Sequence, residues 1–374
     1  MRPMGRRHSR PRLPEESRAY GNGPAVMRRR IIASLLCCLV LAPGVRAQDE
    51  APSRGILNNE ALRAALSVIR GIASQVAFHW GSTQDTRYGL FLDDDWQQRA
   101  NGRPLVVIVH GYGSSAAEFD ALRGRLREAG FGCAVFSYPN DAAVALSARQ
   151  FAAALTEFER RYPGRRLALL AHSMGGLLSR TVIEDPDYAG VGAIDQLIMV
   201  ATPNHGSNLA RVPVSLDIWQ NWLDGEPDTV RSVFFESVLD GLNEARLDLQ
   251  PESELLARLN SLPRNPDVRY SLLLGNAGPA TRDQVDELRR LILSTQDANP
   301  VLRPLGPRLP ALLEDLDELV DGVGDGAVAV ERGRLEGVDD TIVLPFSHGT
   351  ITSDLSGDTA RRLVAEILMR LDRP

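Results

Sequence analysis

An α/β fold with a mostly parallel central sheet and helices on both faces is what this sequence predicts, and three observations predict it. From about Leu105 short apolar runs alternate with amphipathic stretches, the rhythm of strands joined by crossover helices. The runs are apolar almost without interruption, as strands buried on both faces are. And in "LALLAHSMGGLLSR", Leu167 to Arg180, a strand stops and a helix starts with one serine between them.

Taken in order, "PLVVIVHG" is an apolar strand and "SAAEFDALRGRLREAG" an amphipathic helix that Gly130 ends. "CAVFSYP" is the next strand and "ALSARQFAAALTEFERRYPG" the next helix. Arg166 to Ala171 is a short buried strand, followed by the helical "GGLLSRTVIED" and the strand "IDQLIMVATP". The rhythm then breaks. Residues 206–265 contain no convincing strand but carry Trp219, Trp222, Phe234 and Phe235 at helix-like spacings. This predicts a helical insertion over the strand ends, a cap whose aromatics also serve as its own core. "VRYSLLLGN", 268–276, returns to strand, and 277–320 reads as a second helical insertion with proline breaks at 300–310. "DTIVLPF", 340–346, is the last strand. "SGDTARRLVAEILMRLD" is the closing helix, with Ser356 or Asp358 as its expected cap.

The amino end lies outside this fold. From Met27, "MRRRIIASLLCCLVLAPGVRAQDE" places three arginines before an apolar stretch, then Pro43-Gly44 and Val45-Arg46-Ala47. That is the layout of a secretory signal cut after Ala47, with Met27 as the start, and it predicts an exported, periplasmic or secreted protein. Roughly 11–15 apolar residues are too few to span a bilayer. Residues 48–100 read as a lead-in with one amphipathic helix over about 58–78, so the catalytic domain is expected over 101–374.

The 374 residues are 44% hydrophobic and 24% charged, enough for a sizeable core. All 42 basic residues are arginine. Ten of them and two of the 48 acids lie in 1–47, so the rest carries a net charge of −14. That balance gives no electrostatic case for binding nucleic acid and little for anionic membranes. Cys133 is the one cysteine beyond the leader, expected to be buried in its strand. No Cys/His spacing suggests a metal and no glycine-rich loop a phosphate, so neither metal nor cofactor is expected.

The chemistry centres on "AHSMG". A serine on so tight a strand-to-helix turn, with the small residues Ala171 and Gly175 on either side, is raised above the sheet edge as in the G-x-S-x-G nucleophile elbow. Serine needs an imidazole to take its proton and a carboxylate to orient that imidazole. Of six histidines, His8 lies in the leader and His79 ahead of the sheet, while His172 adjoins the serine and is expected to point elsewhere. His110 ends the first apolar strand, where a structural or loop role fits. His205, in "ATPNHGS", competes, but His348, in "PFSHGTI" after the last strand, stands where the base is expected. The acid should lie between serine and base; "DGVGDGAVAV" offers Asp325, favoured, and Asp321. Two backbone N–H groups must face the developing oxyanion, one from Met174 and one from "HGYGSS", most naturally Tyr112.

With "VIVHGYGSS", "LLAHSMGG", "VATPNHGS", "DGAVAV" and "SHG" in this order, the chain resembles the α/β-hydrolase superfamily, bacterial lipase/esterase group, over roughly residues 100–374. Ala171 stands where the usual elbow has glycine, and the acid follows its strand only after a long insert. The resemblance implies the α/β-hydrolase fold, with Ser173 as nucleophile, His348 as base, Asp325 as acid, and Tyr112 and Met174 as oxyanion donors. It also implies hydrolysis of carboxylic esters, small or lipid, with transient contact to a lipid surface through the cap. A deacylase, amidase or transacylase acting on the cell envelope, and an inactive fold used as a binding module, are the competing expectations.

Overall fold

The computed structural model describes residues 87–99, 102–140, 142–211, 244–295, 318–353 and 355–373. The signal segment, the lead-in helix over 58–78, the cap aromatics and the proline breaks of the second insertion all lie outside the described residues.

Seven strands form one sheet: β1 (Gly89–Leu92), β2 (Leu105–Val109), β3 (Cys133–Ser137), β4 (Arg166–His172), β5 (Ala193–Val200), β6 (Arg269–Gly275) and β7 (Thr341–Leu344), in the order β1-β3-β2-β4-β5-β6-β7. All neighbours are parallel except β1, which runs antiparallel to β3 at one edge. β1 is absent from the sequence reading: "GLFL" is four residues long, pairs on one side only and is mostly half-buried, so it has neither the length nor the apolar run that marks the inner strands.

Every residue of β2 and of β3 is buried, and alternate side chains face opposite ways. Leu105, Val107 and Val109 join one core, with Phe151 and Leu155 of α3 (Val144–Arg161) and Leu177 of α4 (Met174–Glu184). Val106 and Ile108 join the other, with Leu122 and Leu126 of α2 (Asp120–Glu128) and Leu363 and Ile367 of the C-terminal helix, Asp358–Leu371. Helix α3 buries Val144, Ala148, Phe151, Ala152, Leu155 and Phe158, the spacing of a single helical face. A short α1 (Trp96–Arg99) lies between β1 and β2. Gly130 follows α2 with φ +86°, a conformation that suits glycine and stops the helix.

Of the insertion between β5 and β6, two described helices, α5 (Glu244–Asp248) and α6 (Glu254–Ser261), pack on the body of the domain. Asp248 Oδ2 accepts from the N–H of Val144 at 2.8 Å and so caps α3, while Ser253 Oγ accepts from Leu256 N at the start of α6. After β6 come α7 (Arg282–Thr295), α8 (Val330–Gly333) and the closing helix, α9 (Asp358–Leu371). The expected cap of α9 needs correction: its N-cap is Gly357, which makes no side-chain cap bond. The Gly357 carbonyl accepts the first helical bond from Arg361 N, and Asp358 sits inside the first turn, where its charge favours the helix dipole.

Because β2, β4, β5, β6 and β7 are parallel, their carboxyl ends share one edge. The loops after β2, β4 and β7 therefore converge there, the usual ligand crevice of such sheets.

Candidate active site

Ser173 follows β4 directly and precedes α4, with φ +52° and ψ −127°. Few residues with a Cβ adopt this geometry, at a cost of about 1–3 kcal/mol. Surrounding bonds impose it: Ser173 N donates to Val200 O at 2.9 Å, and Gly176 N donates to Ser173 O at 2.9 Å. The turn closes only because its neighbours are small. A Cβ at Gly175 would lie 2.4 Å from the carbonyl oxygens of Val109 and His110, and one at Gly176 would lie 2.0 Å from Thr202 Oγ1. Gly111 approaches from the β2 loop so closely that its Cβ would stand 2.9 Å from that of Ser173.

His348 arrives from the loop after β7. Its Nε2 is 3.0 Å from Ser173 Oγ and its Nδ1 is 2.9 Å from Asp325 Oδ2. Asp325 is 1% exposed, and its Oδ1 accepts from the N–H groups of Ala327 at 2.9 Å and Val328 at 2.8 Å. A carboxylate held so by two donors accepts from Nδ1–H, which leaves Nε2 to accept the serine proton. The His348 N–H also donates to Asp325 O at 2.8 Å, so backbone and side chain fix the pair together. Asp321, the alternative acid, is exposed, and its N–H donates to Ala280 O.

The remaining histidines separate by their surroundings. His205 is exposed; its N–H donates to Arg332 O and its Nδ1 stands 3.4 Å from Asn260 Nδ2. Partial burial, with Arg180 and Arg332 nearby, lowers its pKa. His110 is stacked on Tyr138 at 4.2 Å, and the Tyr138 hydroxyl donates to its carbonyl at 2.6 Å, anchoring the loop that carries Tyr112. His172 corrects an expectation: instead of pointing away from the site, its Nε2 lies 2.9 Å from His348 O, so Nε2–H donates across to the loop that carries His348. Cys133 is fully buried in β3, and burial pushes its thiol up to about 12.

Met174 is the first residue of α4, where a backbone N–H has no carbonyl partner four residues back in the helix. Tyr112 shares a solvent-open cleft with Ser173 and His348, together with Ser114, Ser207, Arg246 and Leu249. Behind α4, Arg180 is fully buried, bound to Glu184 at 3.1 Å and to Asn204 Oδ1 and Asn260 Oδ1. Burial lowers the Arg180 pKa and raises that of Glu184. This group ties the elbow helix to α6 and to the loop after β5; sequence reasoning missed it because an arginine inside an amphipathic helix reads as surface. Among the described residues no group of three or more His, Cys, Asp or Glu is placed to hold a metal ion.

A family model described as "Domain of unknown function (DUF7379)" matches residues 69–298, a span that includes Ser173 and stops short of Asp325 and His348. Among curated proteins no sequence matches this chain. Among solved structures the chain is similar to the lipase BlEst2 of Bacillus licheniformis. The mature form is 18% identical over 75% of this chain and 97% of that one, with a TM-score of 0.49. The propeptide form is 19% identical over 75% of this chain and 53% of that one, with a TM-score of 0.50. The phospholipase PlaB of Legionella pneumophila is 18% identical over 72% of this chain and 63% of that one, with a TM-score of 0.46. At such identities the likeness shows the fold alone, and with the seven-stranded, mostly parallel sheet that fold is the α/β-hydrolase fold.

Proposed function

This chain belongs to the family described as domain of unknown function (DUF7379), and from that premise we propose that it is a serine hydrolase that cleaves carboxylic esters, lipid acyl esters among them. One observation carries the reading: the unbroken chain from Ser173 Oγ through His348, 3.0 Å and 2.9 Å, to a buried Asp325.

The chemistry follows from that chain. Ser173 Oγ attacks the ester carbonyl while His348 Nε2 takes its proton. Asp325 keeps the imidazole in the Nδ1–H tautomer and stabilises the imidazolium that forms. The oxyanion is received by the N–H of Met174 at the start of α4 and by that of Tyr112, donors worth about 3–4 kcal/mol each in comparable sites. His348 returns the proton to the departing alcohol, leaving an acyl group on Ser173. It then takes a proton from water, the resulting hydroxide attacks the acyl carbon, and Ser173 recovers its proton.

The lipid preference is supported by the aromatic-bearing insertion and by the lipase BlEst2 as a fold neighbour. Export is supported by the layout of residues 27–47. The experiment is turnover of p-nitrophenyl esters of graded chain length by wild type and Ser173→Ala. Turnover by wild type and none by the variant supports the reading; equal rates in both end it. Preference for short chains removes the lipid assignment and leaves an esterase.

A further inference from the structure

We propose that Glu318 is a positioning residue of the Ser173 site: as a neutral acid it donates to Ser207 Oγ, which donates in turn to Ala327 O in the turn that carries Asp325. Ser207 lines the cleft beside Ser173 and His348. Its Oγ lies 3.0 Å from Glu318 Oε2 and 2.7 Å from Ala327 O. A hydroxyl has one proton, so it donates to one of two acceptors. If Glu318 is ionised, one of these short contacts sets lone pair against lone pair. If Glu318 is protonated, both contacts become hydrogen bonds running in one direction.

The link to catalysis is a single peptide plane. The Ala327 carbonyl that Ser207 holds belongs to the same peptide as the Val328 N–H, which donates to Asp325 Oδ1 at 2.8 Å. A second tie comes from the Glu318 backbone, whose carbonyl accepts from Gly326 N at 3.2 Å. Loss of the Glu318 proton therefore acts on the carboxylate that orients His348.

The groups facing Glu318 oppose one another. Asn208 N donates to Oε1 at 2.9 Å, Leu209 N lies 3.4 Å from Oε2, and Arg332 Nε lies 3.6 Å from Oε1, all favouring the anion, as does the Ser207 hydroxyl whenever it donates to Oε2 at 3.0 Å. Arg332 is itself held by the carbonyl of His205, and Asp325 in the same turn is occupied by His348. Against them stands burial, since Glu318 is 1% exposed. Burial prevails and raises its pKa to about 7, so the switch falls near neutrality.

The kinetic arm of the test rests on the hydrolase reading; a thermal arm does not. Activity toward a p-nitrophenyl ester is followed against pH for wild type, Glu318→Gln and Glu318→Ala, with melting curves over the same range. The glutamine accepts from Asn208 N and donates to Ser207 at every pH. Its kcat/KM should match wild type at about pH 6 and exceed it about three- to tenfold at about pH 8.5, with alanine lower throughout. A raised folded-state pKa gives stability that is complete below the unfolded value and lost as pH rises. The melting advantage of glutamine over wild type should therefore grow from about pH 4.5 to about pH 7 and then level. Parallel pH profiles with a constant melting difference, or a glutamine variant as impaired as alanine, would overturn the proposal. If the ester is not turned over at all, the hydrolase reading fails and the melting series alone decides the state of Glu318.

Discussion

Replacing Gly175 by alanine puts a methyl group where the β2 backbone already stands. Its Cβ would lie 2.4 Å from the carbonyl oxygens of both Val109 and His110. An ordinary contact needs about 3.4 Å, so about 1 Å must be found by moving main chain, which yields less readily than a side chain. The His110 carbonyl is pinned by the Tyr138 hydroxyl at 2.6 Å, so the displacement falls on the 111–113 loop and the start of α4, the two proposed oxyanion donors. Overpacking costs about 1–3 kcal/mol, and alanine's helix propensity returns about 1 kcal/mol, so the net loss of stability is about 0–2 kcal/mol. For a domain of this size that is a fall in Tm of a few degrees. Catalysis should suffer more: a misplacement of about 1 Å is worth about a hundredfold in kcat, with KM changed less. Gly124→Ala on α2, where nothing lies within 4 Å of the new Cβ, is the control and should leave kinetics untouched. p-Nitrophenyl ester kinetics with melting curves decide the matter. A folded Gly175→Ala enzyme with wild-type kcat would refute the reasoning.

Asp325→Asn should lower kcat about 10⁴-fold through the wrong imidazole tautomer, while Asp321→Asn changes it less than about twofold; kcat measurements on the pair separate the two aspartates. Cys133 should resist iodoacetamide in the native protein at about pH 8, since its buried thiol stays protonated, and mass spectrometry of the peptide that carries it reads this directly. Arg180→Met should destabilise by about 3 kcal/mol in urea unfolding, the low end for a broken buried ion pair, because Arg264 still reaches Glu184 at 3.2 Å. His205→Ala should leave kcat/KM and its pH dependence as in wild type, and a shifted profile would bring that histidine back into the mechanism.

What the sequence makes legible is what periodicity and local geometry control. The inner strands announce themselves because burial on both faces demands unbroken apolar runs, and Gly175 and Gly176 mark the elbow because nothing larger fits there. The edge strand β1 escapes notice because a single antiparallel partner asks little of four residues. Asp325 and Asp321 look alike as residues of one glycine-rich turn; burial separates them, and burial depends on the fold around the turn. The role of His172 depends on where the His348 loop lands, 176 positions away in the chain. Glu318 is hidden for the same reason: its partners, Ser207 to Leu209, lie about 110 residues earlier and carry no pattern that pairs them with it.

The backbone angles at Ser173 imply that the fold would rather have no side chain there. Of two inert replacements, glycine should melt above alanine, because only glycine is at ease with a positive φ. With hydroxyl chemistry removed from both sides, the comparison sets the steric penalty of about 1–3 kcal/mol against the extra unfolded-chain entropy of glycine, about 0.4–1 kcal/mol. A rise would mean that the domain carries a standing load at its reactive centre, borne by the close-fitting glycines and the rigid sheet beneath, and that reactivity and robustness pull this one position in opposite directions.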